Sequence, residues 1–197
     1  MSVPKLDGNT ELIISLCMVN ELEQYLQSDV LYWHVAEPNP LGSHMPQMTI
    51  GALWEALTRA EAASNELLPD RRADLAAARA RHAQIRAAHA ALYVRKARRE
   101  LQGRLDAWGA SLADSGRQTT ALYSQDVRVR AKIYLLEKAL GADTPPELQK
   151  RREQLDRELH KIFVSGEFIW DPRLQAAFPK EPCWWLYGHL LEDHLDD

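Results

Sequence analysis

Apolar residues recur at helical intervals along most of this chain. In TELIISLCMVNELEQYLQS, Leu12, Leu16, Val19, Leu22 and Leu26 are spaced as on one face of a helix, and Thr10 or Asn9 can cap it. DVLYWHV is a short aromatic and β-branched piece, and AEPNPLGSHMPQM, with three prolines and a glycine, is a loop. TIGALWEALTRAEAASNELL predicts a second helix, capped by Thr49, with Ile50, Leu53, Trp54 and Leu57 on its apolar face. After Pro69, residues 70–114 read as one long helix of Ala, Arg, Leu and Gln, all strong helix formers. Its seam is Val94, Ala97, Leu101, Leu105, Trp108 and Leu112, and Gly103 and Gly109 are its weak points. Alanines dominate the half before the seam, which permits close helix approach but buries little area.

QDVRVRAKIYLLEKALGA reads as a helix from its neighbours, although VRVRAKIYLL also alternates like a strand. TPPELQKRREQLDRELHKIFVSG carries the sharpest start signal: Thr144 as N-cap, Pro145 at N1 and Glu147 closing a capping box. Leu148, Leu155, Leu159 and Ile162 form its seam, and Gly166 is placed to end a helix over 144–166. Seven of the chain's 15 aromatic residues then fall between Phe163 and Tyr187. An alanine-rich helix offers little apolar area, so these rings, each covering about 150–250 Å², are expected to close one end of the molecule. The expected fold is all-α: an elongated helical bundle, one domain over 1–197, with a long Ala/Arg-rich arm and an aromatic end-cap over 167–188. Residues 189–197 are read as an acidic tail adding little to stability.

Charge sharpens this picture. The formal net charge is −4, but residues 1–69 hold two basic and nine acidic side chains, and residues 70–104 hold ten basic and three acidic. The acidic surplus can fold back onto the basic middle, or the basic helix can meet an outside polyanion. Arg72, Arg79 and Arg86 recur every seven residues on one face, and Arg95, Lys96, Arg98 and Arg99 cluster beyond them. These seven, with Trp185 as the outward member of the Trp184–Trp185 pair, are the candidate partner-binding residues.

Chemical motifs are absent. There is no GxSxG, no phosphate-binding glycine loop, no HExxH and no Glu-x-x-His. His189 and Asp193 share a helical spacing and form the weak basis of a metal or enzyme reading. No cofactor, metal ligand or catalytic residue is assigned. Two distant thiols, Cys17 and Cys183, suit a reducing cytosol, and no stretch has the apolar length of a membrane span. The function expected is that of a non-enzymatic interaction or scaffold protein, whose partner is another protein or a second copy of itself. A homodimer joined through Arg72, Arg79 and Arg86 satisfies basic and acidic patches together. The alternatives are a weak nucleic-acid-associated protein using the basic helix and an enzyme or metal protein without a recognisable motif.

Overall fold

Thr49 caps the second helix as its position predicts. Its hydroxyl accepts from the Ala52 N–H at 3.0 Å and donates to a Glu100 carboxylate oxygen at 2.6 Å. The first helix is capped by Asp7 rather than by Asn9 or Thr10. Asp7 accepts from the Asn9 N–H at 3.0 Å, and the Thr10 hydroxyl donates to it at 2.7 Å, so Thr10 supports the cap. The computed structural model describes residues 6–36, 39–113 and 120–191. Six helices span them: α1 Gly8–Gln27, α2 Ile50–Ala62, α3 Pro69–Ala88, α4 Ala90–Ala113, α5 Thr120–Leu140 and α6 Pro146–His160. The fold is an all-α bundle with one small two-stranded sheet. α2 packs against α1, α4 and α5, while α3 lies on α1 and α6 on α4. No described helix is long and apolar enough to cross a membrane.

The basic stretch is not one rod. α3 and α4 part at His89, whose backbone leaves helical geometry at φ −119°, ψ 35°. Across that corner the His82 ring nitrogen and the Tyr93 hydroxyl meet at 3.0 Å. Eleven residues of straight helix would set their backbones about 16 Å apart. The glycines expected to weaken the stretch stay helical inside α4. A methyl group on Gly109 would come within 3.0 Å of the Arg151 guanidinium and 3.3 Å of Leu155, so this glycine lets α6 approach closely. The α4 seam is buried as read, except that Val94 is only partly covered.

The capping box over 144–147 does not form. Pro145, restricted to an extended backbone by the proline after it, is itself the N-cap at φ −62°, ψ 134°, and α6 begins at Pro146. α6 ends at His160, and Gly166 lies instead in β1 (Phe163–Phe168), which pairs antiparallel with β2 (Tyr187–Leu190). Phe163 faces Leu190 and Ser165 faces Gly188, with an irregularity between Ser165 and Phe168. A Cβ on Gly188 would stand 2.0 Å from the Val164 carbonyl oxygen, so the pairing demands glycine there. His189 and Leu190 are therefore strand rather than tail, and Leu190 is buried. Leu191 is exposed but donates its backbone N–H to the Ile162 carbonyl at 2.7 Å, and the rest of the expected tail, 192–197, lies outside the described residues.

The aromatic segment packs on α5. Tyr123 donates to the Trp185 carbonyl at 2.7 Å, and Trp170 donates to the Ser124 carbonyl at 3.1 Å. Phe178 contacts Trp170, Tyr134 and Trp185 at ring-centroid distances of 5.5–6.5 Å. The same segment reaches the start of the chain. Arg173 donates to the Leu6 carbonyl at 2.8 Å and holds the Asp171 carboxylate at 2.7 Å.

Two glycine substitutions should move stability in opposite directions. Gly51→Ala places a methyl 2.7 Å from a Glu100 carboxylate oxygen and should cost about 1–3 kcal/mol. Gly103→Ala meets nothing within 4 Å and should add about 0.4–1 kcal/mol. Urea unfolding of both variants checks the pair. Removing residues 189–197 should cost about 2 kcal/mol or more, because it takes away buried Leu190 and half of β2.

Candidate functional site

α3 buries only one face. Leu75, Ala78, His82 and Ile85 are covered, whereas Ala80, Ala83 and Ala87 on the opposite side are exposed. Those alanines are too small to fill the space beside them. The result is a groove of about 1270 Å³ between α2, α3 and α5, also bordered by the segment after Asp171. α2 contributes Trp54, Leu57 and Glu61, α4 contributes Tyr93 and Val94, and α5 contributes Leu135, Lys138 and Ala139. Arg173, Ala176 and Ala177 complete the wall.

The polar side of the groove is held by specific bonds. Trp54 donates its indole N–H to the Tyr93 hydroxyl at 2.8 Å, and that hydroxyl meets His82 at 3.0 Å. Burial, with Arg86 and Arg79 adding to it, lowers the His82 pKa to about 4, so the ring is neutral at pH 7. Burial also pushes the Tyr93 phenol above its ordinary range. Both rings are nearly sealed from solvent and brace the α3–α4 corner. Arg79 pairs with Glu61 at 2.8 Å. Arg86 crosses to α5 to donate to the Ala139 carbonyl at 2.5 Å, and its guanidinium lies 5.5 Å from the Tyr93 ring centre. Arg173 pairs with Glu66 at 2.6 Å as well as with Asp171. Lys138 is exposed on the rim, 5.9 Å from the Tyr134 ring centre, with no carboxylate within ion-pair distance among the described residues.

The residues expected from sequence to bind a partner are dispersed. Arg79 and Arg86 line the groove. Arg72 and Arg95 are exposed, and no described side chain pairs with them. Lys96 is buried against expectation. Its ammonium lies 4.4 Å from the Tyr25 ring centre and donates to the Ser28 hydroxyl at 3.2 Å and to the Val30 carbonyl. Desolvation, with help from Arg95 and Arg99, lowers its pKa. Arg98 donates to the Asp143 carbonyl at 2.8 Å, and Arg99 to the Asp29 carbonyl at 2.8 Å. These two and Lys96 hold loops of their own chain. Trp185 is completely buried, with Arg130 stacked 5.0 Å from its ring, so it is a core residue and not an outward contact. Trp184 is the partly exposed member of the pair and lies against His160 and Phe163.

Sequence reasoning missed His82, Tyr93, Lys138 and Arg173 as neighbours, because they come from four separated segments. The exposed spacing of Ala80, Ala83 and Ala87 was the available signal. His189 is exposed on β2, while Asp193 lies outside the described residues. Among the described residues, no three His, Cys, Asp or Glu side chains converge as metal ligands would. Comparison with protein-family models, curated proteins and solved structures finds no significant match to this chain.

The His82 shift has a definite consequence for stability. The folded ring stays neutral down to about pH 4, whereas the unfolded chain protonates near 6.5. Between those values the unfolded state binds more protons, so stability falls as pH drops through that window, by roughly 3 kcal/mol. Urea midpoints measured from pH 7 to 4 should decline in the wild type and decline less in His82→Gln.

Proposed function

We propose that the protein is a non-enzymatic interaction protein and that the groove between α2, α3 and α5 receives its protein partner. The observation that carries this reading is the uncovered alanine face of α3, which borders a groove of about 1270 Å³. The groove opens to solvent along the exposed Ala80, Ala83 and Ala87, a shape that admits a segment of polypeptide. Part of the basic middle is neutralised inside the chain: Arg79 pairs with Glu61, Arg81 with Glu23 and Arg98 with Asp143. Of the seven basic residues singled out in sequence, only Arg72 and Arg95 have no internal partner among the described residues. This weighs against a continuous phosphate-tracking stripe, which needs several accessible cations in a row. It also weakens the homodimer reading, since Arg79 and Arg86 already have intramolecular partners. Free Cys17 and Cys183 fit a reducing compartment, and we place the protein in the cytosol.

Affinity capture from the native organism tests the groove by comparison. Ala83→Trp fills it from an exposed position, and Arg95→Glu alters the basic surface elsewhere. Partners seen with the wild type should disappear with Ala83→Trp and persist with Arg95→Glu. The opposite pattern transfers the function to the basic surface.

A further inference from the structure

The groove's charge and shape narrow the kind of partner, on the reading that the groove is the docking site. Its lining holds four cations, Arg79, Arg86, Lys138 and Arg173, against two carboxylates, Glu61 and Asp143. Both carboxylates are already engaged, Glu61 by Arg79 and Asp143 by Arg98, and Arg173 is held by Asp171 and Glu66, which leaves Lys138 and Arg86 without a carboxylate among the described residues. An arriving carboxylate therefore meets Lys138, which has no acidic partner among the described residues, and Arg86, which donates to the neutral Ala139 carbonyl. An arriving cation meets a net positive rim.

The floor is equally selective. Ala80, Ala83 and Ala87 follow steps of three and four, and Arg79 and Arg86 each stand immediately before an alanine seven residues apart. In coiled-coil terms the alanines occupy the seam, and the two arginines occupy the flanking position that pairs with acids on a facing helix. Small seam residues allow a second helix axis to come close. A helix is about 10 Å across, and the seam from Ala80 to Ala87 runs about two turns along α3. A second copy of this chain is a poor source for that helix. In α1 and α2, Glu11, Glu23, Glu55 and Glu61 already face Arg59, Arg81, Arg128 and Arg79, and α6 buries its apolar face, Leu148, Leu155 and Leu159, within its own chain.

We propose that the groove binds an amphipathic helix of a different protein, laying its apolar side on Ala80, Ala83 and Ala87 and its acidic edge against Lys138 and Arg86. The probe is a fluorescein-labelled 18-residue helical peptide with a Leu/Ala seam and glutamates along one edge. A glutamine twin and a lysine twin of the same seam accompany it, and binding is read by fluorescence anisotropy. The glutamate peptide should bind, the glutamine twin should bind at least ten-fold more weakly, and the lysine twin should not bind. Ala83→Trp and Ala80→Trp should each abolish binding, with unchanged circular dichroism confirming the fold. Lys138→Glu should weaken the glutamate peptide ten-fold or more.

Equal binding of the glutamate and glutamine peptides, blocked by the tryptophan variants, overturns the acidic edge and leaves the groove as the site. No binding by any peptide overturns the helical occupant, while the capture comparison still judges the groove. Anisotropy unchanged by both tryptophan variants overturns the helix proposal and the groove reading together.

Discussion

The carboxylate of Glu100 organises the centre of this protein. It projects from the middle of α4 to the start of α2, where it accepts from the Thr49 hydroxyl at 2.6 Å and the Gly51 N–H at 2.8 Å. Arg104, one turn along α4, completes its shell at 3.1 Å. A buried charge is tolerable only when its hydrogen bonds are complete, and a helix N-terminus favours an anion. This contact therefore fixes where α2 begins and how α4 crosses it. Further along α2, buried Glu55 takes Arg128 and Lys132 from α5, and those cations hold its pKa down to about 2 against the opposing effect of burial. Two acids thus set α2 against α4 and α5, and the apolar packing fills in around them.

Much of the bundle was legible because it depends on local periodicity. The α4 seam, the Thr49 cap and the helical state of α5 all follow from residues within a few turns of one another. The break at His89 was not legible, since alanine and arginine on both sides favour helix. The break serves the bonds joining Trp54, His82 and Tyr93, which span 39 residues. The hairpin was hidden for the same reason. The residues of β1 acquire partners only some twenty positions later, and the decisive element is the missing side chain of Gly188. Of the candidate binding residues, Trp185 and Lys96 proved internal. Residue type alone does not say which of two neighbouring tryptophans turns inward, or which lysine finds a carbonyl and an aromatic ring.

The charge asymmetry takes on a structural meaning. The basic middle was a candidate surface for an outside polyanion, yet most of its cations act as struts. Arg98 and Arg99 hold loop carbonyls, Lys96 secures the end of α1, and Arg86 joins α3 to α5. The groove draws its cations from several segments, Arg79 and Arg86 from α3, Lys138 from α5 and Arg173 from the segment beyond, beside an alanine face that no described element covers.

The bond between Leu6 and the Asp171–Arg173 corner also bears on how the chain matures. The Arg173 donor is separated from its Leu6 acceptor by 167 positions. During synthesis at about 5–20 residues per second, the opening segment must wait on the order of ten seconds or more for this partner to be made. Throughout that interval α1 can settle on α2 and α3, but the wall of the groove that Arg173 supplies does not yet exist. The groove thus lacks that wall until Arg173 has been made, well after α1 to α5, and the contact with Leu6 closes only then.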